Sequence, residues 1–412
     1  MDDNGNGDEN GNGDETENGN GDENGNENGD EPENGNGSEA AEAATTDIGE
    51  SLDDFQDGGS WYALRDEQLT PDDGEAVVGD QSLLVESDDN VSTIAWAPAS
   101  PLDLSDQYLS LAVKVTSPVG GQMAMHVRAP GGDDYVTARR RLPNGVDEWF
   151  RIDFGYTIGY GSPDFESVQE LRIEMVAPEG DPIEYRVDDL RTTPAQDESN
   201  VILAFYGGLE SHYETVFPLL EERGWVGTLG ISQDLLNRPG RLDIDQLREM
   251  RDAGWEICSY PVHEGDLTSL NEDGMRQVVE SNRDYLAKRG FEDGARHFFT
   301  PRNRMNTDLL NVLRDTHETA FVFGAGSSGI PPTGRHTISA ISGSDYDSSR
   351  APILRADQHN QVVVPYFEEV GGDGMSVDDF EAQLDRIADE DDDTAYGDGL
   401  EPITPSQLLE YY

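Results

Sequence analysis

His263 is one of seven histidines in a chain of 412 residues, and it stands in the acidic phrase His263-Glu264-Gly265-Asp266. Imidazole and carboxylate are the groups that hold a divalent metal in metal-assisted hydrolysis. That chemistry needs about three nitrogen or oxygen ligands and one open position where water is acidified and a carbonyl polarised. One imidazole does not supply it. Further donors would have to come from Glu210, His212, Glu256, Glu264 or Asp266, all near expected strand ends. Each has a plainer reading. An acid at a helix start, such as Glu210, is favoured by the dipole; His212 fits a surface histidine, Glu256 either a general base or a structural acid, and His263 a hydrogen-bonded groove residue. Tyr206, followed by Gly207 and Gly208, gives a second kind of site. A tyrosine and glycines at a strand end form an open aromatic floor, and a phenol with a pKa of about 10 suits sugar stacking better than proton transfer.

These residues need a scaffold, and the pattern from residue 200 onward supplies one. Val201–Phe205 reads as a buried strand, and a helix over Tyr213–Arg223 follows, starting near Ser211 and kinked at Pro218. Strands are expected at Val226–Ile231, Glu256–Ser259, Arg296–Thr300 and Thr319–Phe323. Helices are expected at Ile244–Ala253, Asn271–Arg289, Thr307–Asp315 and Val377–Ala388, the last capped by Ser376. Alternation at this spacing builds a parallel sheet, open or closed.

Residues 51–193 read differently. Short runs such as Ser82–Glu86, Tyr108–Val115, Met123–Arg128, Trp149–Phe154, Leu171–Val176 and Tyr185–Leu190 are separated by Gly, Pro, Asp and Asn, and Tyr108–Val115 alternates with period two. This is the pattern of a β-sandwich. Trp61, Tyr62, Trp96, Tyr135, Trp149, Tyr156 and Tyr160 belong to its core or edges, and any one could instead stack on a sugar. Thr193–Asn200 is a polar linker. Residues 1–50 form an expected disordered tail, with the first forty almost wholly Asn, Gly, Asp and Glu and unable to bury apolar surface.

Eighty-six acidic against 27 basic residues give a formal charge of -59. Such a field excludes nucleic acid as a partner and self-repels in dilute salt. Only Lys114 and Lys288 are lysines, and acid excess with scarce lysine reads as a halophile's protein, since at 1 M salt the Debye length falls to about 3 Å. Cys258, the only cysteine, permits no intramolecular disulfide and no cysteine-based metal site. No apolar run is long enough for a transmembrane helix, and no secretion signal is visible.

Six phrases, in order, resemble the polysaccharide deacetylases of the NodB-homology, carbohydrate esterase 4 type. They are Val201–Phe205, Phe217–Gly224, Gly254–Ile257, Asp266–Leu270, Phe298–Asn306 and Ile403–Leu409. The resemblance covers residues 200–412 and implies a distorted (β/α)7 barrel. It implies hydrolysis of N- or O-acetyl groups with zinc, cobalt or nickel held by one aspartate and two histidines, a second aspartate as base and a late histidine as acid. Carried onto this chain, the base falls on Tyr206, the metal aspartate on Gly207, the histidines on Ser259 and His263, and the late histidine near Tyr366. Only His263 survives. The third-motif arginine falls on Phe299, with Arg302 and Arg304 nearby, and the acid at Glu256 is one the family keeps for structure. The sandwich is similar to jelly-roll carbohydrate-binding modules, and the tail to tethers of haloarchaeal surface lipoproteins, although no lipidated cysteine is visible. The expectation is therefore an acidic tail, a sandwich and a barrel whose partner is a polysaccharide at the cell exterior, with no cofactor unless substitute ligands rebuild a metal site. A noncatalytic glycan binder, an active deacetylase and a structural envelope protein remain as alternatives.

Overall fold

The computed structural model describes residues 41, 44–57, 59–130, 133–178, 180–388 and 399–412. Of the disordered tail expected over residues 1–50, the first forty lie outside the described residues. Ala44, by contrast, is buried, the Ala44, Ile48 and Gly49 carbonyls accept from Arg151 and Arg191, and Glu50 opens the first strand, so order begins earlier than expected. From Glu50 to Pro194 the chain forms two six-stranded antiparallel sheets. One is centred on Gln107–Ser117 and Ile183–Pro194, the other on Gln122–Arg128, Tyr135–Arg141 and Glu170–Val176. Their inward residues, among them Leu111, Val113, Met123, Met125, Ile152, Ile173, Tyr185 and Val187, are buried and face one another. Alternation explains this, since every second side chain of a strand points to one face. Six of these strands had been legible in sequence; Glu50–Asp53, Trp61–Ala63, Gln68–Asp73, Val91–Trp96, Tyr135–Arg141 and Ile158–Tyr160 join them as findings of the structure. Of the aromatics, Trp61, Trp149 and Tyr156 are buried, whereas Tyr62 and Tyr160 are 42% and 45% exposed.

Beyond the linker, seven parallel strands close into a barrel: Ala204–Tyr206, Thr228–Ile231, Glu256–Ser259, His297–Phe299, Thr319–Phe323, Ile338–Ser342 and Pro365–Phe367. The first pairs with the last. The expected strand Val201–Phe205 is divided. Asn200–Val201 joins a small sheet with Val362–Val363 and Glu401–Pro402, and only Ala204–Tyr206 enters the barrel. Ile202 and Leu203 bridge the two by bonding to Val363 and Thr228. The helix after it opens with a π turn at His212–Val216, and Pro218 sits as the second residue of the α segment Phe217–Glu222. A missing N–H at a π-to-α junction leaves fewer ladder bonds to lose. Strand Ile338–Ser342 and helix Tyr346–Gln358, absent from the sequence reading, complete the ring. Side-chain caps fix the helix starts. Asp243 and Gln246 form a capping box, and Asn271, Asn306, Asp345 and Ser376 each accept a first-turn N–H. No helix among the described residues is long and apolar enough to cross a membrane.

Sandwich and barrel share one core. Apolar residues of the sandwich are continuous with Leu267, Met275, Val279, Leu309 and Leu313 of the barrel's helical layer. Polar contacts fix the join. Asp153, 5% exposed, accepts from the Thr333 N–H and hydroxyl at 2.8 Å each and from the Gly334 N–H at 3.1 Å. Arg140, buried, donates to the Thr337 carbonyl, and the Arg141 N–H donates to the Gly324 carbonyl at 3.0 Å. A Cβ at Gly324 would lie 1.7 Å from the Arg140 guanidinium, so only glycine admits this approach. We expect Asp153→Ala to lower the unfolding free energy by about 3 kcal/mol, because it orphans buried donors at the join. Denaturant titration in high salt checks this, and an unchanged midpoint would contradict it.

Candidate functional site at the barrel mouth

In a parallel barrel all strands end at one mouth, and residues just past those ends converge there. Tyr206 lies at that end of the first strand, Tyr260 one residue past Glu256–Ser259, Phe299 and Phe323 at the ends of their strands, and Tyr366 within the last. The rings form a stack. Tyr206 is 4.9 Å from Tyr366 at an interplanar angle of 4°, 5.1 Å from Tyr260 at 23°, and 5.1 Å from Phe299. Phe323 meets Tyr366 edge-on at 6.4 Å. Burial pushes the Tyr206 phenol well above its usual range, with Tyr260, Tyr366, Cys258 and Glu368 adding to it. Burial, then Glu368, raises Tyr260 and Tyr366 as well. These phenols stay neutral at any ordinary pH, as donors and stacking surfaces and not as bases.

The resemblance carries the metal ligands onto Gly207, Ser259 and His263. Gly207 (φ +89°) carries no side chain, and the Arg241 guanidinium fills the neighbouring space, donating to the Gly207 carbonyl at 2.7 Å. A Cβ there would sit 2.8 Å from Arg241 Nη1. Ser259 is fully buried and accepts from Asn282 Nδ2 at 3.1 Å; the same amide donates to the Ile231 carbonyl at 2.9 Å. His263 is half-buried past the end of its strand and makes no hydrogen bond or ion pair with the described residues. A cation against the missing carboxylate, a tied hydroxyl and one imidazole do not fit a divalent metal. No group of three or more His, Cys, Asp or Glu among the described residues is placed to hold one.

The other sequence candidates are dispersed. His212, expected at the surface, is fully buried. Its Nδ1 accepts from the Leu209 N–H at 3.3 Å and its Nε2 donates to the Glu368 carbonyl, so both nitrogens are engaged. Burial holds its pKa down at about 4. Glu256 begins its strand and therefore lies at the opposite end of the barrel, where Ser406 donates to it through its N–H at 3.0 Å and its hydroxyl. It serves the closing segment, not as a base or ligand at the mouth. Glu210 is exposed and holds the chain only through its N–H, bonded to Gly240. Asp266 caps Thr268 and pairs with Arg304 at 3.1 Å, while Arg302 donates to the Gly265 carbonyl at 3.0 Å. Sequence reasoning missed Arg241, Tyr260, Glu368 and Arg141. Tyr260 follows Ser259 directly and was readable; Arg241 lies 34 residues from Gly207, and only folding joins them.

Residues 193–321 match the family profile described as polysaccharide deacetylase. Among solved structures, the chain is similar to the Xyl-CE4 domain of a multidomain xylanase from the hindgut metagenome of Trinervitermes trinervoides (16% identity, 52% of this chain and 91% of that one, TM-score 0.37). It is also similar to a family 4 carbohydrate esterase from Streptomyces lividans (14% identity, 51% and 94%, TM-score 0.37). An exo-beta-agarase matches at 12% identity over 37% of this chain (TM-score 0.31), and the chain spans 27% of that protein's length. No curated protein matches.

Two outcomes follow from the geometry. Gly207→Asp should lower stability by about 1–3 kcal/mol, from the positive φ and the displaced guanidinium, and Arg241→Ala should recover part of it; equal midpoints for Gly207→Asp and wild type would contradict this. Five of the seven histidines titrate low in the folded state because of burial: His212, His336 and His359 at about 4, His297 and His317 at about 3. The unfolded chain takes up those protons near 6.5. Stability is therefore fully present above that value and is lost as pH falls from 6.5 toward 3–4, by up to about 1.4 kcal/mol per pH unit for each histidine. Denaturation midpoints across this window should fall, and His212→Gln should reduce the slope by about one proton.

Proposed function

Since residues 193–321 form a polysaccharide deacetylase domain, we propose that this chain uses the domain to bind a glycan without deacetylating it. The observation that carries this reading is the guanidinium of Arg241 set against Gly207, with the Tyr206 stack above it. A positive group replaces a negative one beside the position a metal would take. The neighbouring base position carries a neutral phenol. Pyranose rings present apolar C–H faces that lie against aromatic rings, and phenol hydroxyls bond to their rims. The sandwich over residues 51–193 acts in this reading as an accessory carbohydrate-binding module, and the protein works on cell-surface or extracellular glycan of a halophile. The boundaries 51–193 and 200–412 are functional divisions of one packed unit.

The test is a panel of neutral and charged oligosaccharides titrated against the full chain in high salt. Tyr206→Ala should weaken binding by about tenfold, because it removes the ring against which Tyr260 and Tyr366 are stacked. Acetate release from acetylated chitooligosaccharide should stay at the background rate. Release abolished by His263→Ala would instead establish an active deacetylase with substitute ligands, and a panel with no binding at all would leave a structural envelope protein.

A further inference from the structure

We propose that the cleft between the sandwich and the barrel mouth takes an anionic polysaccharide, one bearing carboxylate or sulfate groups. This rests on the glycan-binding reading and gives that glycan a charge. The cleft is a cavity of about 820 Å³, walled by the sandwich turns around Gly120–Gln122 and Arg141–Asn144 and by Arg302–Arg304 of the barrel. Three arginines line it, and none of the residues lining it is Asp or Glu. In a chain with 86 acidic and 27 basic residues, that wall reverses the prevailing charge.

Arg141 and Arg302 are held at the wall by backbone bonds. Arg141 ends the strand Tyr135–Arg141, where alternation turns Arg139 and Arg141 outward and Ala138 and Arg140 inward. Its N–H bond to the Gly324 carbonyl brings it to the mouth, and its guanidinium lies 4.9 Å over the Phe323 ring. Arg302 and Asn303 are consecutive left-handed residues, each with φ +53°. This conformation is unfavourable for side-chain-bearing residues and persists where its surroundings enforce it. Here the Phe323 N–H donates to the Asn303 side chain, and Arg302 Nη1 donates to the Gly265 carbonyl. Arg304 is partly neutralised by Asp266. Neither Arg141 nor Arg302 forms an ion pair with a described carboxylate, so both forks retain free donors for a ligand. Phe323 touches Tyr366, which continues the tyrosine stack. The cationic forks thus line the cavity, and Arg141 connects it through Phe323 to the tyrosine stack beyond. Guanidinium bonds carboxylate and sulfate oxygens in pairs, and a neutral glycan calls for no such wall.

The test titrates the full chain, at about 1 M salt so that its overall charge is screened, with an oligouronate, a sulfated oligogalactan, a neutral chitooligosaccharide and single-stranded DNA of matched length. Wild type should bind one or both anionic sugars more tightly than the neutral one, and the stronger arm identifies carboxylate or sulfate. Arg141→Gln and Arg302→Gln should each weaken that binding about tenfold, one charged fork each, and leave neutral-sugar binding unchanged; Arg141→Gln, whose guanidinium holds no part of the turn, should also leave the thermal midpoint unchanged. Anionic binding unaffected by both substitutions overturns the proposal, as does DNA bound as tightly as the sugars. Tight neutral binding with weak anionic binding overturns this inference alone. No binding by any sugar overturns it together with the glycan reading.

Discussion

Arg140 is the charge around which the two lobes are fixed. Its guanidinium is buried between the sandwich and the barrel, donates to the Thr337 carbonyl and lies against Gly324, with two nitrogens unpartnered among the described residues. Burial lowers its pKa to about 10, and Asp153 pulls it back up. A buried ion of this kind is expensive unless its surroundings are fixed. Asp153 supplies the fixing, through its bonds to Thr333 and Gly334, and Arg151 adds a buried pair with Asp189 inside the sandwich. The orientation of the sandwich on the barrel is set by this cluster and by the shared apolar core.

That orientation decides what surrounds the mouth. With Arg140 turned into the join, Arg141 has to face outward beside Phe323, because adjacent strand residues point to opposite faces. The mouth therefore receives a side chain from the other lobe. On the barrel side, Arg302 is carried by a strained turn. Neighbours from distant segments fix Gly207 and Ser259 in the same physical way. The absence of a side chain at Gly207 leaves room for Arg241, and Ser259 is small enough to be bonded by Asn282. Arg241 and Asn282 thus occupy the space beside these two residues.

Much was legible in the sequence. The period-two runs of the sandwich and the alternating strands and helices of the barrel follow from side-chain geometry and local capping, which neighbouring residues settle among themselves. Short strands such as Ile158–Tyr160 escaped, since two or three residues carry no period.

The fold class and the aromatic at the first strand's end follow from local pattern alone, whereas what surrounds Gly207 and Ser259 follows only from the tertiary structure. His212 and Glu256 read as site candidates, but one is buried with both nitrogens engaged and the other faces the far end of the barrel. Arg241 and Arg141 carried no local signal, yet one lies at Gly207 and the other on Phe323. Chemistry at a barrel mouth depends on which distant segments end within a few ångströms of one another, and that is a property of closure and docking that no local pattern encodes.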